Sequence, residues 1–278
     1  MTETPNQAEL TALLPEQWEA IAALVDGLDE HVWRTPTSLP GWTVFDVVAH
    51  VVGTESFLLG EKPPPRDRSQ PDIDVHTLPH VRNETAVFNE IWIQRLRPLT
   101  GSALRQRFLD VTERRRKALT EMDDARWQAQ GPSPIGQVSY GRFMRVRLFD
   151  CWMHEFDIAD ALGVRVDEGG ARGELALAEF LQTVPRVIAK VGKAPEGSRI
   201  TFELTGPLAR TLHIAVDGRA RYVDTIDGPP TTTITLDSGL LVRLGGGRVT
   251  ADSRMSEIGI TGDDELGRRL VRTLAFTI

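Results

Sequence analysis

Residues Gly141–Gly163, GRFMRVRLFDCWMHEFDIADALG, run without a proline or an interior glycine, and they constrain the chain more than any other stretch. They read as one long helix that stops at Gly163, a residue type favoured just past a helix end. Met144, Leu148, Cys151, Trp152, Phe156 and Ala159 recur at three- and four-residue steps, which marks a stripe facing a core. Beside it, at the same steps, stand Arg147, Asp150, His154 and Asp157, so their side chains share one helix face. Carboxylates and an imidazole next to an apolar stripe are costly to bury unless they are paired or hold a ligand.

The segments before this helix supply it with neighbours. Apolar residues keep helical spacing from Ala8 to Leu28, with Pro15 obscuring the start of that helix. After the loop TPTSLPGW, Thr43 with Asp46 three residues on predicts a capped helix that ends near Gly60 and carries His50. Residues 61–79 are rich in proline and charge and predict a surface loop or lid. Helices are expected over His80–Leu96 and Ser102–Met122, then a loop, QGPSPIGQVSYG. Helices joined by such loops imply an antiparallel bundle. Beyond Gly163 the texture changes. A helix is expected over Gly173–Val191, bent at Pro185, followed by short β-branched runs in SRITFELT, RTLHIAV, ARYVDT and TTTITLD. A short helix at Leu240–Leu244, a strand in IGITG and a helix over Asp264–Phe276 complete an α+β domain with an antiparallel sheet. Two domains follow, 1–166 and 167–278.

Composition excludes several functions. A net charge of −7 leaves no basic surplus to neutralise phosphates, so no nucleic-acid partner is expected, and the run Arg114–Lys117 reads as a solvated helix face. Cys151 is the only cysteine, which rules out a disulfide within the chain and a zinc–thiolate cluster. No stretch is long and apolar enough to span a membrane, and MTETPNQAEL lacks a secretory pattern, so a reducing, cytoplasmic setting is expected.

His50 on the second helix, with Asp150 and His154 one turn apart on the last, provide two imidazoles and a carboxylate. Facing helices of a bundle build metal sites in this way, and three protein ligands with an open fourth position suit catalysis. Asp157 or Asp46 is placed to orient an imidazole. From spacing alone, a structural hydrogen-bond network competes with the metal. His76 and His80 are four apart beside Pro79 and read as an accidental pair, and His31 and His213 carry no signal. Cys151 lies in the apolar stripe and is expected to be inert.

LPGWTVFDVVAHVVG and FDCWMHEFDIADALG together resemble the mycothiol-dependent maleylpyruvate isomerase family. The shared features are Pro40-Gly41-Trp42-Thr43, His50, the Asp150/His154 pair, Asp157, Ala159 or Ala161, and Gly163, while DSGLLVRLGGGR and ITGDDELGRRLVRTL are similar to its C-terminal domain. The resemblance implies a DinB-like four-helix bundle followed by a sterol-carrier-like domain. It implies that His50, Asp150 and His154 bind a divalent metal, zinc before nickel or iron, which activates the thiol of mycothiol or another small thiol toward an electrophilic substrate. It implies that Arg243 and Arg248 hold an anionic substrate, with Arg248 the candidate catalytic residue. Asp150 stands where the isomerase has glutamate, and being one methylene shorter it needs a closer helix or a bridging water. Two rivals remain: a metal-dependent hydrolase on the same bundle, and a non-enzymatic small-molecule binding protein.

Overall fold

The computed structural model describes residues 6–67 and 73–276. The chain divides into two compact units, Met1–Val166 and Asp167–Ile278. Among the described residues no helix is long and apolar enough to cross a membrane.

In the first unit, α1 (Gln7–Leu24) and a short α2 (Glu30–Trp33) precede α3 (Val44–Leu58). Asn6 caps α1, which runs straight through Pro15. The expected box opens α3: Asp46 N–H donates to the Thr43 hydroxyl, and the Asp46 carboxylate accepts the Thr43 N–H. After α4 (Glu84–Leu96) and α5 (Gly101–Thr120) come a short α6 (Asp124–Gln128) and a hairpin of β1 (Gln130–Ser133) and β2 (Gly136–Ser139). The hairpin replaces the loop expected there. Ser139 caps α7 (Tyr140–Leu162), which closes at Gly163 in the left-handed conformation with φ 67°. Helices α1, α7, α3 and α5 pack in a closed ring, each against the next, with α4 against α3. Trp18, Phe45, Phe108, Leu148 and Trp152 fill the interior. The lid expected over 61–79 falls partly outside the described residues, at 68–72; the described part holds only a 3-10 turn, Val75–Thr77.

The second unit opens with α8 (Gly170–Leu181) and α9 (Val184–Lys190), two helices where one was expected. Pro185 lacks the N–H that a continuing helix needs but fits the first turn of a new one. Strands β3 (Arg199–Thr205), β4 (Arg210–Asp217), β5 (Arg219–Val223), β6 (Thr232–Asp237) and β7 (Gly259–Gly262) form one sheet in the order β5-β4-β3-β6-β7. Three pairings are antiparallel as expected. The fourth, β3 with β6, is parallel, with Phe202 opposite Ile234, because the β3-β4-β5 meander returns to the far side of β3. Helices α10 (Ser238–Gly245) and α11 (Asp264–Arg272) pack on β6, and Ile200, Phe202, Ile214, Ile234 and Leu236 form the apolar side.

Candidate metal centre

Helices α3 and α7 bring the three predicted ligands together. One nitrogen each from His50 and His154 and one oxygen of Asp150 lie within 4.8 Å of one another. His50 Nε2 is 3.2 Å from Asp150 Oδ2, His154 Nε2 is 3.6 Å from Asp150 Oδ1, and the imidazole centroids are 4.9 Å apart. Both histidines are buried, and Asp150 is partly exposed. The shorter carboxylate thus lies within hydrogen-bond distance of His50 and within ion-pair distance of His154.

His154 and Asp150 are held from behind. His154 Nδ1 lies 2.9 Å from Asp157 Oδ2, which leaves Nε2 to face the cluster. Burial holds His50 below the usual histidine range against the opposing pull of Asp150, so the ring is kept neutral, the form that ligates. Burial pushes Asp150 up, but His154, Arg147 and the hydrogen bond from His50 outweigh it and hold the carboxyl well below its ordinary range. Arg147 donates through Nη1 to Asp150 and through Nε and Nη2 to Glu55 Oε1, at 3.0 and 2.9 Å. Arg115 donates to the other oxygen of Glu55 at 2.8 Å. Two guanidiniums and two carboxylates therefore balance beneath the imidazoles, as burial of charge requires. The ring of Trp42 covers both imidazoles, with centroids 5.4 Å from His50 and 6.2 Å from His154.

Other predicted residues are placed elsewhere. Asp46 caps α3 and accepts from Arg97 Nε at 2.9 Å, so it orients no imidazole. Of the Arg114–Lys117 run, Arg115 turns inward and is buried, contrary to the expected solvated face; a helix surface running four cations must turn one toward the bundle. Cys151 is buried and its thiol is pushed up to about 12 by burial, with Arg147 pulling the other way. His80 pairs with Glu90, not with His76. In the second unit, Arg243 donates to Glu168 at 2.9 Å, and Arg248 donates to the Gly246 carbonyl at 2.6 Å. Sequence reasoning missed Glu55 and Glu90. Their only signal was a carboxylate set among apolar residues of α3 and α4.

Comparison with known proteins agrees with this architecture. Residues 14–159 match the profile described as "Mycothiol maleylpyruvate isomerase N-terminal domain", and residues 174–269 match that of the "MDMPI C-terminal domain". A crystal structure of the mycothiol-dependent maleylpyruvate isomerase superposes with a TM-score of 0.60 at 18% identity, covering 92% of this chain and 93% of that one. A mutant of that enzyme gives 0.60 at 17% identity over the same shares of both chains. At such identity the likeness concerns the fold. A UbiJ-SCP2 ubiquinone synthesis protein matches 36% of this chain and 94% of its own at a TM-score of 0.29 and 16% identity. No curated protein matches the chain in direct sequence comparison. Since the first profile alone spans more than half of its residues, the chain belongs to the mycothiol maleylpyruvate isomerase family of enzymes.

Proposed function

We propose that this chain is a cytoplasmic, metal-dependent enzyme that activates a low-molecular-weight thiol, mycothiol first, for isomerisation of or transfer to a small electrophile. Maleylpyruvate is the first substrate to try. The observation that carries the reading is the convergence of His50, Asp150 and His154, with Asp157 behind His154. The donor set fits a divalent ion. Two imidazoles and one carboxylate are borderline ligands suited to zinc, with nickel or iron as alternatives. His154 presents Nε2 because Asp157 holds Nδ1, and Asp150 offers Oδ1 while Arg147 engages Oδ2.

A free thiol has a pKa of about 8.5 and is mostly protonated at neutral pH, whereas its thiolate is the nucleophile. A dication held by these three residues would supply the positive charge that stabilises the thiolate. The chain's own residues set the stage: Arg147 fixes Asp150, Asp157 fixes the His154 tautomer, and the Trp42 indole keeps water off one side of the imidazoles. Arg248 is the proposed anchor for an anionic group of the substrate.

The test is metal content of protein purified without chelator or affinity tag, beside His154→Ala, followed by turnover with and without mycothiol. About one equivalent of metal, lost in the variant, with turnover only when thiol is present, is the expected result. Metal with thiol-independent hydrolysis would move the chain to the hydrolases. No metal in either protein and no uptake on zinc titration would overturn the reading in favour of a binding protein.

A further inference from the structure

We propose that Glu90 is a positioning residue of the centre: it holds the Trp42 indole as a fixed wall over His50 and His154 and so sets the side from which a ligand can approach. The proposal rests on reading the His50, Asp150 and His154 cluster as the functional centre.

Glu90 lies on α4, which supplies none of the three ligands, and its side chain is 1% exposed. An ionised carboxylate so placed is expensive unless every lone pair is used. Here each oxygen has two partners. Oε2 accepts the Trp42 indole N–H at 3.2 Å and faces His80 Nε2 at 3.1 Å. Oε1 accepts from Gln94 at 2.8 Å and faces Arg97 Nη2 at 3.5 Å. An apolar residue would join α4 to the bundle at less cost. What the carboxylate adds is a rigid acceptor for an indole.

The loop that carries Trp42 is pinned at the same place. Gly41 has φ +79° and is pressed so close to His80 that a Cβ there would stand 2.7 Å from the ring. The Gly41 carbonyl accepts from Arg97 Nη2 at 3.4 Å. Trp42 therefore cannot swing from the imidazoles without breaking its bond to Glu90. The two imidazoles depend on it unequally. His154 is also fastened through Nδ1 to Asp157, whereas His50 Nδ1 is buried with no hydrogen-bond partner among the described residues. The indole packs against His50, tilted 35° to its ring, and among the described residues no hydrogen bond fastens Nδ1 in its place. Release of Trp42 should disturb His50 more than His154.

Histidine ring resonances of the metal-free protein test this, measured for wild type, Glu90→Gln, Trp42→Leu and the double variant. In Glu90→Gln one uncharged acceptor oxygen remains where two charged ones served four partners, so the indole N–H loses the charged acceptor that fixes it. The expected result is that the His50 ring resonances shift in the same direction in both single variants, with a smaller shift at His154, and that the double variant shifts no further than Trp42→Leu. Cobalt(II) alone, as the probe of affinity, should bind each variant about 10–100-fold more weakly than wild type. A His50 resonance in Glu90→Gln that coincides with wild type, or one that Trp42→Leu leaves in place, would overturn the proposal. If Glu90→Gln does not fold, wild type decides: the Trp42 indole proton should exchange slowly with solvent, and free exchange would refute the bond. Failure of wild type to bind cobalt would instead strike the metal reading, while the resonance shifts still decide the role of Glu90.

Discussion

The two units bury opposite kinds of material. Inside the helical unit Asp46, His50, Glu55, Glu90, Arg115, Arg147, His154, Glu155 and Asp157 are all buried. Among the described residues the sheet unit buries only hydroxyl side chains of its polar residues: Ser198, Thr201, Thr232 and Ser238. Replacing a buried ion pair by apolar residues is often neutral or stabilising, so charge kept inside a bundle points to a task other than stability. Here Asp157 and, through Asp150, the linked Arg147, Glu55 and Arg115 converge on the imidazole pair. The sheet unit carries its arginine–glutamate and arginine–aspartate pairs at or near the surface, as with Arg199–Asp217 and Arg210–Glu174. The bundle is thus built around a polar site, and the sheet around an apolar face.

The largest effects should separate the units by the kind of substitution that breaks them. Glu55→Gln removes the charge between Arg115 and Arg147, and stranding a buried partner costs about 3–5 kcal/mol. In the sheet unit the corresponding loss, about 3–5 kcal/mol, should come from a purely apolar truncation, Phe202→Ala, since Phe202 on the central strand β3 is 1% exposed. Urea unfolding of each variant measures both. A cost below about 1 kcal/mol for Glu55→Gln, the value of an exposed pair, would mean the bundle's charges are solvated and the contrast false.

A smaller effect sharpens the contrast at the turns. Gly41 and Gly218 both have positive φ, +79° and +68°, but Gly41 faces His80 while Gly218 has nothing within 4 Å. Alanine at Gly218 should cost about 1–2 kcal/mol from the left-handed backbone alone. Gly41→Ala should cost about 1–3 kcal/mol for its strained backbone plus displacement of His80, and it should weaken metal binding as well. Equal melting temperatures and unchanged metal affinity in the two variants would show that the loop beside the site has slack.

How much of this was legible follows from the range of each interaction. The Thr43 box, the Gly163 stop and the Asp150/His154 spacing are local, so period and capping chemistry disclosed them. The β-branched run TTTITLD disclosed β6, but its parallel neighbour β3 is a choice of topology that no strand records alone. Glu55 with Arg147 and Trp42 with Glu90 join residues from separate helices or from a loop and a helix, and no window of sequence contains either pair. Arg115 was misread for the same reason: its partner Glu55 lies sixty residues away. Pro15 obscured the start of α1, which the Asn6 cap places at Gln7.

The smallest effect tests whether the charges beneath the imidazoles are balanced. Cys151 Sγ lies 3.4 Å from Arg147 Nη2, and an uncompensated guanidinium at that distance would favour the thiolate. Burial instead pushes the thiol up to about 12, with Glu55 and Asp150 adding to it, because their carboxylates already answer the charge of Arg147. In the unfolded chain the thiol ionises near about 8.5. Between those values the unfolded state has released a proton that the folded state keeps, so rising pH favours unfolding. The contribution to stability is whole below about pH 8.5 and falls with increasing pH by at most about 1.4 kcal/mol per unit. The slope for Cys151→Ala, subtracted from that of wild type, isolates this term from lysines and tyrosines that titrate alongside. Native protein at pH 8.5 should accordingly react with iodoacetamide no faster than it unfolds. Rapid labelling of the folded state would mean that Glu55 and Asp150 do not neutralise Arg147, and the bundle interior would then hold a free positive charge next to a site proposed for a cation.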